Sequence, residues 1–159
     1  MFGSWPPFFS ESRTRWLLAL ILAVLTLALF WPATHCGFIN FDDDRYVLNN
    51  PVVRQGLTMH GIRWALASVY ELWWSPLLWI SYMADTSLFG PGPFGYHLTN
   101  VLLHAANVLL LFWTLFRMTG SKGRSFFAAA LFAVHPLRIE SVVWITERKD
   151  VLSGLFFFL

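Results

Sequence analysis

From Tyr96 to Met118 the chain runs with a single formal charge, Arg117, at its far end. A helix needs about 20 predominantly apolar residues to cross the hydrocarbon core of a bilayer, and this stretch is long enough to do so. Its polar residues are not scattered. His97, Asn100, His104 and Asn107 follow the spacing i, i+3, i+7, i+10, which at about 100° per residue confines them to an arc of roughly 80°. Polar groups at that depth are expensive in lipid, so the stripe must face protein or water. The deeper His104 and Asn107 are read as hydrogen-bonding neighbouring helices, and His97, near the mouth, as a candidate to touch ligand.

Composition supports the same solvent. Apolar residues make up 57% of the 159 positions and charged residues only 13%, above and below the usual shares for a soluble domain. Sixteen Phe and nine Trp suit the headgroup level, where a ring can be apolar on one edge and wet on the other. The net charge of +2 is dispersed without a Lys/Arg run, which argues against nucleic acid as a partner. The single cysteine, Cys36, has no intramolecular disulfide partner and reads as a structural thiol.

Along the chain, residues 1–15 form a polar N-terminus, predicted cytoplasmic, that ends in Arg13 and Arg15 before an apolar run from Trp16 to Trp31. That run is a first span over about 16–32 with aromatic ends. A signal peptide shares the template, but no small-x-small cleavage site follows, so the helix is expected to stay uncleaved. A long outer loop over about 33–93 contains two amphipathic stretches, one through Met59–Ala67 and one from Leu72 to Asp85, which places Ser81 and Asp85 on one helical side. Such Trp- and Leu-dense helices, too short to cross, are expected to lie in the interface plane. Further spans are expected at about 96–118 and 126–145, the last either short or tilted and ending at His135-Pro136, or continuing past the proline to Ile145 with a kink. A fourth starts at 151 and stops after about a third of the length a span needs. The predicted fold is an all-α, polytopic membrane bundle, and residues 16–159 read as the N-terminal fragment of a larger transmembrane domain.

Basic residues orient such a bundle. The N-terminus and the 117–125 turn carry five Lys/Arg and one acid, and the opposite side six Lys/Arg and eight acids. The N-terminus is therefore placed inside. Two charged segments then share the outer face. Asp42-Asp43-Asp44 repel one another, so at least one should have a raised pKa or hold a cation; a carboxylate there can act as a general base or bind a divalent metal ion, with Asp42 and Asp43 as its ligands. A solvated acidic turn is the plain alternative. The second segment, from His135 through Glu140 to Glu147-Arg148-Lys149-Asp150, offers a guanidinium and an ammonium suited to a lipid-linked phosphate. Its plain alternative is snorkelling basic residues at a helix start, with Asp150 as cap.

These residues carry a resemblance. Phe41-Asp42-Asp43-Asp44-Arg45-Tyr46-Val47 with Asn50-Pro51, Trp74-Ser75-Pro76-Leu77, His97-Leu98-Thr99-Asn100 with His104, and His135-Pro136 through Glu140 to Asp150-Val151-Leu152 together resemble the N-terminal membrane part of the transmembrane and tetratricopeptide-repeat O-mannosyltransferases and their bacterial relatives. The resemblance implies a C-type glycosyltransferase fold, a polyprenyl-phosphate-linked sugar as donor and a protein hydroxyl as acceptor. By the same likeness Asp42 and Asp43 take the places of the catalytic acidic pair. Arg148 and Asp150 take those of the arginine and aspartate of the later outer motif. Lys149, Glu140, His135 and His97 complete the candidate substrate-binding set. Glu147-Arg148-Lys149-Asp150 departs from the Gly-Arg-Ala-Asp of eukaryotic members and is closer to bacterial ones, which implies a bacterial inner membrane with a periplasmic active face.

The sequence thus reads as part of a glycosyltransferase whose repeats are expected only from the resemblance, and activity is not expected from these residues alone. The rival readings are a non-catalytic membrane scaffold carrying such repeats, and a lipid carrier or transporter using the polar stripe as its path.

Overall fold

The computed structural model describes residues 8–159, with side chains from residue 12 onward; the first seven residues of the expected cytoplasmic N-terminus lie outside the described residues. All regular structure in the described residues is helical, apart from one isolated bridge between Tyr70 and Trp73. In chain order, α1 spans Phe8–Phe30, α2 Pro51–Arg54, α3 Met59–Ala67, α4 Pro76–Phe89, α5 Pro93–Thr119, α6 Lys122–Val134, α7 Arg138–Val143 and α8 Arg148–Phe158.

Local chemistry sets most of these limits. Asn50 caps α2, its Oδ1 accepting from the amides of Val52 at 3.0 Å and Val53 at 3.2 Å, and Pro51 follows at the first helical position, where a missing N–H costs nothing. Thr58 caps α3 through the amide of Gly61. Pro76 and Pro93 open α4 and α5 in the same way. Gly120 ends α5 in the left-handed region at φ 66°, a conformation that costs a residue without Cβ little. The second amphipathic stretch therefore begins as a helix at Pro76, not at Leu72. Glu71 and Leu72 instead take positive φ values of 48° and 69° in the tight turn closed by Tyr70 and Trp73.

The helix expected over 126–145 is interrupted. Its first part, α6, stops at Val134, and the chain turns through His135-Pro136 before restarting as α7 at Arg138. Proline disfavours helical geometry in the residue before it, and His135 is extended at ψ 128°.

Long-range pairs give the arrangement. Trp16 meets Trp113 and Phe30 meets His104, so α1 runs antiparallel to α5. Likewise α6 is antiparallel to α5, with Ser125 near Thr119 and Ala133 near His104. Asn107 bonds Val151 and Thr114 bonds Phe158, so α8 runs parallel to α5. One end of the bundle therefore gathers the 36–50 loop and the starts of α5 and α8. Two helical stretches, Ser12–His35 and Pro93–Thr119, are long and apolar enough to cross a membrane, and α1 leaves Trp16, Leu17, Leu20, Val24 and Leu29 exposed along its length.

The segment between α1 and α5 has its own core. Trp79, fully buried on α4, is ringed by Tyr46, Trp64, Tyr70 and Tyr82 at centroid distances of 5.0 to 6.1 Å. Offset and edge-on aromatic pairs of this kind add to the area they bury. They fasten the acidic loop and α3 onto α4, which in turn packs on α5 and α8 through Tyr82 and Asp85.

Candidate active site

Arg148, the first residue of α8, has no exposed surface. Its Nε donates to Asn100 Oδ1 at 2.7 Å, Nη1 to Ser81 Oγ at 3.1 Å, and Nη2 to the carbonyl of Tyr96 at 2.8 Å. Nη2 also contacts Asp85 Oδ2 at 2.5 Å, and the guanidinium plane lies 4.6 Å from the centre of the Tyr82 ring. The fork of donors is filled from α4 and α5. Arg148 thus does not face the surface as a ligand for phosphate: its charge is spent inside, joining α4, α5 and α8.

The acidic loop divides in two. Asp43 is fully buried and its Oδ2 accepts the Ile39 amide at 2.9 Å. Thr146, on the turn before α8, approaches the same carboxylate, but neither Thr146 Oγ1 nor Asp43 Oδ1 completes a well-formed hydrogen bond. His97, 2% exposed, stands close by, its ring near the carbonyls of Gly37 and Val143 without reaching hydrogen-bond geometry to either. Burial pushes the Asp43 carboxyl above the usual carboxylate value, more than the Ile39 amide, Thr146 and His97 pull it down. Asp43 therefore braces its own loop, buried against the turn that carries Thr146. Asp42 is half-buried at the surface of the same turn.

Beside Asp42 stands Tyr46, a residue the sequence reading passes over although it lies four positions on, one helical turn away. Burial first, then the Asp42 carboxylate, push its phenol up, while the Lys149 ammonium pulls it down. The charges of Asp42, Glu71 and Glu147, of one sign, and of Lys149, of the other, thus all act on the Tyr46 phenol. Burial would lower the Lys149 ammonium, but Glu147, 3.0 Å away, outweighs it and holds the group protonated. Lys149 stands at the head of a groove of about 370 Å³ between α4 and α8, whose walls include Trp74, Leu77, Leu78, Leu152 and Phe156. Positions 149, 152, 153 and 156 share one face of α8 at helical spacing.

The remaining candidates are spread out. Asp150 accepts from Ser141 Oγ at 2.9 Å and sits on the far side of α8 from the groove. Glu140 and His135 are exposed on and before α7, and the Nδ1 of His135 accepts the Leu137 amide. Among the described residues no three His, Cys, Asp or Glu side chains gather as metal ligands. A hard divalent ion takes six or more oxygens, and of the two carboxylates expected to hold one, Asp43 is buried and bonded to the loop. These residues do not by themselves make a cage.

An all-helical bundle with two helices long and apolar enough to cross a membrane fits a membrane-associated protein, and its lysine-headed apolar groove is the feature most suited to an amphiphile. Comparison with known proteins narrows this. The chain is 35% identical over 131 residues to the protein O-mannosyl-transferase TMTC1 of Mus musculus, covering 74% of this chain and 14% of that protein. It is 32% identical over 153 residues to the protein O-mannosyl-transferase TMTC2 of Homo sapiens, covering 88% and 18%. It is 45% identical over 85 residues to that of Xenopus laevis, covering 53% and 10%. Over this segment the chain belongs to the TMTC family of protein O-mannosyl-transferases, and it spans less than a fifth of the length of these curated relatives. No family model matches the chain, and no solved structure does.

Proposed function

We propose that this chain forms the donor-binding and base-bearing end of a glycosyltransferase that moves a sugar, mannose by the names of its relatives, from a polyprenyl-phosphate donor to a protein hydroxyl at the outer face of a membrane. The observation that carries the reading is Lys149 at the head of an apolar groove, on the same end of the bundle as Asp42, so that the charges of both act on Tyr46. An isoprenoid tail is apolar along its whole length and ends in a phosphate, and the groove has that polarity.

The chemistry follows from those groups. The acceptor O–H gives its proton to the Asp42 carboxylate as its oxygen forms the new bond to the anomeric carbon. The bond from that carbon to the phosphate oxygen breaks, and its electron pair leaves on the phosphate, where the Lys149 ammonium meets the developing charge. Attack from the face opposite the phosphate inverts the anomeric centre. Asp43 positions the loop, and Arg148 positions α8 and therefore Lys149 next to it. Asp150, Glu140 and His135 line other faces and are left to the acceptor side.

In the full-length enzyme, Asp42→Asn is expected to lower transfer by about 10²- to 10⁴-fold, the usual contribution of a general base, and Asp42→Asn with Asp43→Asn to abolish it with membrane insertion intact. Turnover retained in the double variant would sink the assignment.

A further inference from the structure

On the opposite face of α8 from the Lys149 groove, a second cleft of about 420 Å³ opens between α5, α6 and α8. Two charged side chains, Arg138 and Asp150, line it together with Phe132, Phe157 and Phe158. Along α8 its wall changes from Asp150, in the first turn, to Phe157, seven residues or roughly 10 Å further along the axis. On the facing wall Arg138, just beyond the end of α6, stands over the Phe132 ring at 4.7 Å.

Both charges are uncommitted. Among the described residues the Arg138 guanidinium donates no hydrogen bond and joins no ion pair. Asp150 accepts from Ser141 through Oδ2 at 2.9 Å and takes nothing from a described residue through Oδ1. An arginine and an aspartate that line one cleft without pairing leave room for a group that carries both opposite charges. The guanidinium fork matches a phosphate, and a free carboxylate oxygen accepts from an ammonium. The level of the cleft also fits a headgroup. Phe30, at the end of α1, packs on His104 with ring centroids 5.1 Å apart, and His104 lines this cleft. With α1 crossing a bilayer, Arg138 and Asp150 lie where its apolar run ends, and Phe157 lies deeper.

We infer that this cleft seats a phosphatidylethanolamine, with its phosphate on Arg138, its ammonium on Asp150 and its chains against Phe132 and Phe157. A purely anionic head would satisfy Arg138 but meet the Asp150 carboxylate, and a choline head has no N–H to give it. The inference rests on the membrane reading of α1 and α5, and not on the Lys149 groove or on sugar transfer.

The test places the full-length protein in phosphatidylcholine nanodiscs. Recovery with the disc is read first: a chain that does not enter it refutes the membrane reading, and the inference with it. A phosphatidylethanolamine carrying a diazirine in one chain is then photolysed. Label is expected within residues 126–134 and 150–158, and a phosphatidylcholine with the same diazirine should leave both unlabelled. Unlabelled phosphatidylethanolamine should compete about tenfold better than phosphatidylglycerol, the worth of one charge-assisted hydrogen bond. Arg138→Met, which keeps an apolar chain over Phe132, should weaken labelling about tenfold. Asp150→Asn keeps an oxygen for Ser141 and should erase the advantage over phosphatidylglycerol. Three results with the unaltered protein overturn the inference whether or not either variant folds. Equal competition by the two lipids removes the role of Asp150, stronger competition by a polyprenyl phosphate gives the cleft to the sugar donor, and absence of label from both helices gives it to the rest of the protein.

Discussion

Arg148 and Asp85 form an ion pair at 2.5 Å with 0% and 4% of their side chains exposed, and it is the point where α4, α5 and α8 meet. Removing two charges from water costs more than their attraction alone returns, so such a pair depends on its further hydrogen bonds. These come from Asn100, Ser81 and Tyr96 on the arginine side and from Thr99 Oγ1, 2.6 Å from Asp85 Oδ1, on the other.

Asp85→Leu is therefore predicted to destabilise the bundle by about 3–5 kcal/mol, because it strands a buried guanidinium. Replacing both residues, Asp85→Leu with Arg148→Met, should recover part of that loss, since no charge is then left buried without its partner. Denaturant unfolding in mild detergent measures both; a double variant no more stable than the single one contradicts the prediction.

How legible this was from the sequence depends on the residue. Helical periodicity showed that His97, Asn100, His104 and Asn107 share a face, and all four are buried. Spacing alone also set Ser81 and Asp85 on one side of their helix, and both touch Arg148. What spacing does not carry is which distant residue converges on such a side: Arg148 lies 63 positions from Asp85 and reads locally as a surface cation beside Lys149. The same blindness hid Tyr46, which feels the charge of Lys149 from a helix about a hundred positions further along the chain. The difference in burial between Asp42 and Asp43 was equally invisible, because adjacent carboxylates look alike in a sequence.

Asp43 yields a pH-dependent prediction. Its folded pKa is raised above the ordinary 3.8 by burial, so the folded protein holds that proton more tightly than the unfolded chain does. Its ionised form opposes folding above the raised value, and this opposition is relieved as pH falls through the raised value toward 3.8. Asp43→Asn keeps an oxygen for the Ile39 amide and has no proton to titrate. The variant should be at least as stable as the parent at neutral pH, and the parent should gain on it as the solution is acidified across that window. Unfolding midpoints of the two proteins over the acid range check this, and parallel curves would refute it.

At Gly154, α8 packs close against Asn107 of α5. A Cβ there would lie 2.9 Å from Asn107 Nδ2, the atom that donates to Val151, so the amide must move and its bond across the helices lengthens. Gly154→Ala is expected to cost about 1–3 kcal/mol, the usual price of overpacking, despite the better helix propensity of alanine. Gly123→Ala, with open space around its Cβ, serves as the control and should be neutral or stabilising. Thermal unfolding of the two variants side by side measures the difference.

The groove and its lysine separate binding from chemistry. If the Lys149 ammonium stabilises charge that develops on the departing phosphate, Lys149→Met in the full-length enzyme should lower kcat by about 10²-fold, in the range found for a removed electrostatic donor. Lys149→Arg should restore most of it, since a positive charge returns to the same place. Leu152, one turn along α8 on the groove wall, touches only the tail in this reading. Leu152→Asn should therefore raise KM for the polyprenyl donor and leave kcat nearly unchanged, because a tail contact is as strong in the ground state as in the transition state. Steady-state kinetics with donors of decreasing tail length test the split, since the Leu152→Asn penalty must shrink as the tail no longer reaches that turn. A constant penalty at every tail length would place the donor outside the groove.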